Sequence, residues 1–336
     1  MISEKNLFLL LTFLLLILLF SKKLKKNISL KNKIFQKNIE NFVSQNSNDK
    51  QQKKNIKVGI VSMVTKQPDF EFWLKYHLEH LKLDLIILRV EDSPEYKPLL
   101  DKYGDRVIAT YHNKNDIDLK HNYLTIMDRQ KEHVNNGLHK AKELGIDYMF
   151  HSDADELIYV EKDNFNTHPS ILLRFYLESV PEVYSCIHLK NFEAVFPNNK
   201  DKCFNTNKFI DCKKGNCLSY ANGKSVGRIK HNIKFKGPHY FTGKVYNISD
   251  YNIAILHFDS CTYKQWENKF DLLKDTNEEK MKKIPFKFYK NSIRKLKKCG
   301  GEKKNEKKCK NELKQYYESQ KIEPYTKKNT REMNFY

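Results

Sequence analysis

The stretch YMFHSDADELIYV, residues 148–160, decides the fold because it places a cluster of carboxylates between two apolar runs. Asp153, Asp155 and Glu156 lie within four consecutive positions, with the run YMF before them and the run LIYV after them. The apolar runs predict a buried strand. Carboxylates repel one another and are rarely buried without a partner. Their position at the end of a buried strand therefore indicates a binding site rather than a core.

The segments around this stretch alternate between strand-like and helix-like patterns. Apolar runs predict strands over residues 56–64, 84–90, 106–112 and 146–157. Apolar residues at helical spacing predict helices over residues 69–83 and 129–145. This order predicts an α/β fold, Rossmann-like, with a mainly parallel sheet and helices on both faces. Ligands bind such sheets at the carboxyl ends of the strands, where both the acidic cluster and Asp92 are expected.

The spacing of Asp153 and Asp155 favours a metal site. Residues i and i+2 of an extended strand point to the same side, so the two carboxylates would project together. Oxygen ligands of this kind select Mg²⁺ or Mn²⁺, which take further ligands from water and from substrate phosphates. Such an ion neutralises a departing diphosphate. A solvated turn is the alternative interpretation of the motif.

Several short motifs follow one another between residues 56 and 290. They are Glu71, Trp73 and His77, then Gln130, Asn135 and Asn136, then Asp153, Asp155, Glu156 and Leu157, and finally His239-Tyr240 and His257-Phe258. In the order of these motifs, the sequence resembles the family-92 and related family-2-like glycosyltransferases, which have a GT-A fold and a D-x-D motif.

The resemblance implies a divalent metal ion, Mn²⁺ or Mg²⁺, and a nucleotide-sugar donor, expected to be a UDP-sugar. It also implies a glycan or glycoprotein acceptor, and transfer with inversion at the anomeric carbon. Asp155 would bind the metal directly, while Asp153 would lie near the ribose or a metal-bound water. Asp92 would face the nucleotide. His239 would complete the metal ligands, with His257 as the alternative. A position on the solvated surface is the preferred interpretation of Lys224 and Arg228, and contact with the diphosphate is the alternative.

Inversion by direct displacement requires a general base near the acceptor hydroxyl. The candidates between the acidic cluster and His239 are Glu193, Asp201 and Asp211. Glu193 is preferred because it lies in the apolar stretch LKNFEAVF, where burial would raise its pKa.

The charge of the chain does not require a nucleic-acid partner. The net charge is +20, which is compatible with an anionic partner. Much of the excess, however, falls in residues 22–57 and 290–330, which look like tails rather than a binding groove. The apolar fraction of 40% is that of a globular protein.

The first residues predict a membrane anchor. Residues 7–20, LFLLLTFLLLILLF, are apolar apart from Thr12. We expect a tail at residues 1–6, a signal anchor at 7–21 and a polar stem at 22–55, ahead of the catalytic domain at 56–290 and a basic extension at 291–336. A cleaved signal peptide is the alternative for the apolar run.

The orientation of this anchor is indicated by conflicting signals. Lys5 precedes the apolar run, whereas four lysines follow it within residues 22–26, which favours a cytosolic domain. The seven cysteines and the sequons at Asn27 and Asn247 favour a lumen instead. Since tail, anchor, stem and domain follow one another as in type II proteins, we expect a single-pass protein with its domain in a Golgi- or ER-like lumen.

The cysteines predict cross-links. Cys299 and Cys309 are placed to close a small loop, and an odd total leaves at least one thiol without an intramolecular partner. Cys203, Cys212 and Cys217 are compatible with zinc, although the C-x2-C spacing of structural zinc sites is absent. A loop tied by disulfides is the preferred interpretation.

Two other functions use the same residues differently. A metal-dependent phosphoesterase or nucleotidyltransferase would use the same carboxylates without sugar transfer. A basic, membrane-tethered binding protein would need neither Asp153 nor Asp155, and would leave the ordered acidic, amide and histidine motifs unexplained.

Overall fold

The strands of the first sheet follow the apolar runs of the sequence. The computed structural model describes residues 37, 40, 55–113, 125–163, 166–197, 202–212, 217–248, 252–274, 276–301, 306–323 and 330–336. The first sheet is formed by β1 Val58–Val64, β2 Leu85–Glu91, β3 Val107–His112, β4 Tyr148–His151, β6 Cys186–Leu189, β9 Lys224–Arg228 and β10 Val245–Asn247. Their order is β10-β6-β9-β4-β1-β2-β3. Strands β3, β2, β1 and β4 are parallel, and β9 is antiparallel to both β4 and β6.

A second, smaller sheet contains β5 Glu156–Val160, β7 Asn191–Ala194, β8 Lys208–Asp211, β11 Ile253–His257 and β12 Arg331–Glu332, in the order β12-β8-β7-β11-β5. Strand β11 pairs antiparallel with β5, and this register places His257 opposite Glu156. On its other side β11 pairs with β7, which places His257 beside Glu193. The second sheet thereby brings residues from two distant parts of the sequence, around His257 and Glu193, next to the acidic cluster.

The helices are α1 Phe70–Lys75, α2 Lys97–Asp101, α3 Ile126–Glu143, α4 Pro169–Ser179, α5 Tyr263–Asp271, α6 Glu278–Lys283, α7 Lys287–Gly301 and α8 Glu306–Lys321. The single helix expected over 69–83 is α1, followed by a π-helical turn at Tyr76–His80. The helix expected over 129–145 is α3, which begins three residues earlier than predicted and ends at Glu143. The apolar spacing therefore located both helices, with errors at their ends.

Helices α3 and α4 lie on opposite faces of the first sheet. Gly137 of α3 approaches β1 so closely that a Cβ there would lie 2.8 Å from Val61 Cγ2. Val61 shares a face with Met149, since Val61 pairs with His151 and Gly59 with Met149. Tyr148 points to the other face by alternation, and its hydroxyl donates to the Leu177 carbonyl of α4 at 3.0 Å. The expected mixed α/β architecture, rich in parallel strands, is confirmed.

The C-terminal residues pack onto the same unit. Residues Ile56–Tyr336 form one compact unit. The domain limit drawn at residue 290 falls within α7, and Trp266 of α5 donates through its indole N–H to Ser292 of that helix at 3.1 Å. The predicted tail, anchor and stem lie outside the described residues, apart from positions 37, 40 and 55. Within the described ranges, the helices are too short or too polar to cross a membrane.

Candidate active site

The acidic cluster lies in a turn that joins the two sheets. The strand predicted over 146–157 is divided, because β4 ends at His151 and β5 begins at Glu156. The Glu156 N–H donates to the Asp153 carbonyl at 3.1 Å, which closes the turn. The Asp153 N–H donates in return to Glu156 Oε2 at 2.7 Å. Because the chain turns here, the extended strand that was expected at this point is interrupted, and Asp153 and Asp155 have different partners.

Asp153 is paired with Lys224, which β9 delivers from the neighbouring antiparallel strand. Lys224 Nζ donates to Asp153 Oδ2 at 2.6 Å and lies 3.4 Å from Glu156 Oε2. The Lys224 side chain is 0% exposed, whereas that of Asp153 is 32% exposed. Gln130 of α3 donates to the other Asp153 oxygen at 3.3 Å. Asp153 is thus fixed by two elements, and a solvated position for Lys224 is excluded.

One lysine here serves two carboxylates. Burial raises the pKa of Asp153, but Lys224, with His151 and His257, outweighs burial, so the net pKa falls below its usual range. Burial raises the pKa of Glu156 to about 7, since the attraction of Lys224 is partly cancelled by the repulsion of Asp153. Among the described residues, Glu156 Oε1 has no hydrogen-bond partner. Lys224 lies closer to Asp153 than to Glu156, so it stabilises the ionised form of Asp153 more strongly. Glu156 is therefore the carboxyl of this pair that takes up a proton.

Asp155 faces a second group, formed by His257 and Asp259. The three residues offer ligand atoms that all lie within 4.8 Å of one another. His257 Nε2 is 3.7 Å from Asp155 Oδ2, and the Phe258 N–H donates to the Asp155 carbonyl at 2.8 Å, which holds the two segments together. Burial alone would lower the pKa of His257, but Asp155 and Asp259 raise it above its usual value. Two carboxylates and an imidazole form a donor set for a divalent cation.

Asp259 is the member of this group that the sequence analysis missed. Lys269 donates to its Oδ1 at 2.5 Å, and its buried Oδ2 has no partner among the described residues. Burial raises the pKa of Asp259, but Lys269, Lys321 and His257 together outweigh burial, so the net pKa falls below its usual range and the carboxylate is ionised. The signal was the spacing of His257 and Asp259, since residues two apart project together when the chain is extended.

His239 lies outside this group. Its Nδ1–H donates to the Gly223 carbonyl at 2.7 Å. The Tyr220 ring separates the two histidines, with its centroid 4.5 Å from each of the His239 and His257 rings. Burial, together with the nearby Lys224 charge, lowers the pKa of His239 to about 4. Of the two histidines considered as metal ligands, the structure therefore places His257 with Asp155, and His239 is a neutral side chain next to this group.

The Glu193 carboxyl does not have the raised pKa that the sequence predicted. Lys321 of α8 donates to Glu193 Oε1 at 2.9 Å, and both side chains are 0% exposed. Burial raises the pKa of Glu193, but Lys321 and His257 lower it more, so the net pKa lies below its usual value. The expectation of a raised pKa is wrong, because a buried cation compensates the desolvation. An ionised carboxylate held by a lysine is a weak general base.

The remaining candidates are dispersed. Asp201 lies outside the described residues, and Asp211 is half-buried at the end of β8. Asp92 follows β2 at the carboxyl edge of the sheet, with a left-handed backbone of φ 48°. Arg228 pairs with Tyr148 at the opposite end of β4, where it donates to the Pro181 and Tyr184 carbonyls at 2.8 and 2.9 Å. Arg228 is therefore neither solvated nor near the acidic turn.

Disulfides fix the loops around the candidate site. The pairs are Cys203–Cys261, Cys212–Cys217 and Cys299–Cys309, and Cys186 is a buried free thiol. The predicted Cys299–Cys309 loop and the odd thiol are confirmed. Zinc binding by Cys203, Cys212 and Cys217 is excluded, because all of them are in disulfides. Through its bond to Cys203, Cys261 connects the segment after Asp259 to a loop 58 residues earlier in the sequence.

Comparisons with known proteins leave the family open. No family model matches the chain, and no curated protein does. It is similar to a 4-diphosphocytidyl-2C-methyl-D-erythritol synthase from Anaerococcus prevotii, at 11% identity and a TM-score of 0.30 over 60% of this chain and 90% of that chain. HddC from Yersinia pseudotuberculosis aligns at 10% identity and a TM-score of 0.30, over 63% and 97% of the two chains. A mannose-1-phosphate geranyltransferase from Thermus thermophilus aligns at 10% identity and a TM-score of 0.25, over 79% of this chain and 68% of that chain. TM-scores this low assign neither a fold family nor an activity.

Proposed function

We propose that this chain is a divalent-metal-dependent glycosyltransferase that moves a sugar from a nucleotide-sugar donor to a glycan or glycoprotein acceptor. The observation that carries the proposal is the group formed by Asp155, His257 and Asp259, next to the Asp153–Lys224 pair. Asp155 of this group follows β4, which adjoins β1 in the parallel part of the first sheet, and His257 and Asp259 reach it from the end of β11. The chain runs from β1 outward through β2 to β3 and returns to β4 on the other side of β1. Ligands of parallel α/β sheets bind where the strand order reverses in this way.

The residues present fit a divalent cation. Asp155 and Asp259 offer carboxylate oxygens and His257 offers an imidazole nitrogen, a mixed set that suits Mn²⁺. The buried Asp259 Oδ2, which has no partner among the described residues, is a ligand atom still to be satisfied. A cation held there supplies charge neutralisation for a departing nucleoside diphosphate.

The other side chains prepare the donor site. Lys224 fixes Asp153 so that one carboxylate face remains partly exposed beside Gln130. In this position Asp153 accepts hydrogen bonds from a ribose hydroxyl or from water on the cation. The half-buried His239 lies against Tyr220, which in turn contacts His257. The resemblance to inverting transferases, rather than this geometry, supports inversion and a UDP-sugar donor.

The same proposal includes a type II membrane protein with its domain in a lumen. Three disulfides among the described residues support an oxidising compartment. The apolar run at residues 7–20 supports the anchor.

The test is donor cleavage by the full-length protein. A panel of nucleotide sugars is assayed for nucleoside diphosphate release with Mn²⁺ and with EDTA, beside Asp155→Ala and the control Asp105→Ala, whose carboxylate is exposed. We expect release from one donor, its loss in EDTA, and a decrease of roughly 100-fold or more in Asp155→Ala only, because a direct ligand should matter at least as much as its outer-shell partners.

Other products would overturn the assignment. Release of a nucleoside monophosphate or pyrophosphate indicates a nucleotidyltransferase or phosphoesterase. Equal release in EDTA, or a fully active Asp155→Ala, removes the metal role. If all donors are inert, thermal stabilisation by a nucleoside diphosphate with Mn²⁺ supports an enzyme that waits for its acceptor, and the absence of stabilisation contradicts the proposal.

A further inference from the structure

A buried series of polar contacts connects the C-terminal helix with His257. Lys321 at the end of α8 donates to Glu193 Oε1 at 2.9 Å. Glu193 Oε2 accepts from the Ser219 hydroxyl at 3.2 Å, and the Ser219 Oγ lies 3.1 Å from His257 Nδ1. All of these side chains are at least nine-tenths buried. The contacts join residues that are far apart in sequence and leave His257 Nε2 facing Asp155.

The direction of each hydrogen bond follows from the chemistry of the groups. A lysine ammonium has only donors, so Glu193 accepts from Lys321. Glu193 Oε2 also accepts from the Leu218 and Ser219 backbone N–H groups, at 2.8 and 3.1 Å, so this oxygen meets donors only. A hydroxyl has one hydrogen, and Ser219 gives it to Glu193. The Ser219 oxygen must then accept, and His257 Nδ1 must carry a proton.

This arrangement fixes the tautomer of His257. With the proton of neutral imidazole on Nδ1, the lone pair lies on Nε2. That lone pair faces Asp155 Oδ2 at 3.7 Å, within the group that also contains Asp259. Three electron-pair donors that converge in this way need a cation between them, and a proton on Nε2 is the competitor.

We propose that Lys321, Glu193 and Ser219 are positioning residues that hold His257 in the tautomer able to bind a divalent cation. The inference rests on one part of the proposed function, the binding of a divalent cation by Asp155, His257 and Asp259. It gives the end of helix α8 a role in the site, since Lys321 donates to Glu193, whose other oxygen also meets donors only. It also gives Glu193 a role other than general base. Outer-shell partners of a metal-binding histidine orient the ring in this manner.

The test uses a matched pair of variants at Ser219. Ser219→Thr retains the hydroxyl. Ser219→Val introduces a side chain of nearly the same shape as threonine but without the hydroxyl. Ser219→Ala removes the hydroxyl without adding volume, and it replaces the valine variant if the extra methyl groups prevent folding. Mn²⁺ affinity is measured on the full-length protein after EDTA treatment, from the electron paramagnetic resonance signal of free Mn²⁺, with thermal unfolding in EDTA as the folding control.

We expect Ser219→Thr to bind Mn²⁺ like the unmodified protein, and Ser219→Val and Ser219→Ala to bind about 10- to 100-fold more weakly with little change in unfolding temperature. The ¹⁵N imidazole spectrum should show a protonated Nδ1 for neutral His257, and a mixture of tautomers in Ser219→Ala. A structural role alone would move the unfolding temperature and leave the tautomer unchanged.

A second pair of variants tests the helix. Lys321→Met should weaken Mn²⁺ binding, whereas Lys314→Met, at an exposed lysine of the same helix, should not. Equal Mn²⁺ affinities for Ser219→Ala and the unmodified protein would overturn the positioning role and leave the proposed function intact. If the unmodified protein does not bind Mn²⁺, the metal site of the proposed function itself fails.

Discussion

Replacing Glu156 by Gln should remove a pH dependence of stability that arises from two carboxylates sharing one lysine. Glu156 is fully buried and lies 3.4 Å from Lys224, which is already engaged with Asp153 at 2.6 Å. Burial, with the repulsion from Asp153, raises the pKa of Glu156 from 4.5 to about 7. Glutamine is almost isosteric and does not titrate. Its carbonyl oxygen can still accept from the Asp153 N–H, as Glu156 Oε2 does at 2.7 Å.

The sign and size of the effect follow from proton linkage. Between pH 4.5 and 7 the folded protein binds a proton on Glu156 that the unfolded chain has lost. The free energy of unfolding therefore decreases as the pH rises through this window. The rise of the Glu156 pKa from 4.5 to about 7 corresponds to roughly 3 kcal/mol. Asp153 has a lowered pKa, so its contribution is lost only in more acidic solution and does not enter the window.

The assay is urea unfolding at intervals from pH 4.5 to 8, in EDTA so that bound cations do not contribute. Glu132→Gln, at an exposed glutamate of α3, is the control. Relative to the unmodified protein, Glu156→Gln should gain roughly 3 kcal/mol between the two ends of the range, and Glu132→Gln should gain almost nothing. Any cost of burying the amide N–H₂ is the same at all pH values and does not affect the slope. Parallel curves for Glu156→Gln and the unmodified protein would refute the shared-lysine argument.

Two further predictions concern stability. Lys224→Met leaves Asp153 and Glu156 without their buried cation and should lower the free energy of unfolding by about 3–5 kcal/mol at neutral pH. The exposed control Lys236→Met should lower it by about 0.5 kcal/mol or less. Equal losses for the two variants in urea unfolding would contradict the buried pair. Replacing the Cys203–Cys261 disulfide by alanines opens a loop with a separation of 58 residues, whereas Cys212–Cys217 has a separation of 5. The first replacement should cost about 4 kcal/mol and the second about 2 kcal/mol on chain-entropy grounds, and the opposite order would count against this account.

The sequence by itself determined the local elements of this protein. The apolar runs located strands β1 to β4, since short stretches rich in apolar and β-branched residues are typical of buried strands. Apolar residues at helical spacing located α1 and α3, because that spacing places them on one face. The position of Asp153 and Asp155 after a buried strand marked the acidic turn as a site, because ionised carboxylates avoid burial.

The ends and directions of these elements were less predictable. The stretch over 146–157 was expected to be one strand, but the chain turns after His151 and enters a second sheet at Glu156. Alternation of side chains holds only while a strand continues, so the spacing of Asp153 and Asp155 did not predict their separate partners, Lys224 and His257. The site residues Lys224 and Arg228 show the same dependence on register: both lie in β9, but only the antiparallel pairing with β4 determines that Lys224 reaches the acidic turn.

Only the tertiary structure decided the partners of the buried charges. Glu193 has the apolar surroundings that raise a carboxyl pKa, but Lys321, 128 residues later, reverses the effect. Asp259 joins Asp155 and His257 because β11 pairs with β5, and the sequence does not state which strands pair. The physical reason is range: hydrophobic periodicity acts over a few neighbouring residues, whereas the state of a buried charge depends on whichever opposite charge the completed fold places within a few ångströms.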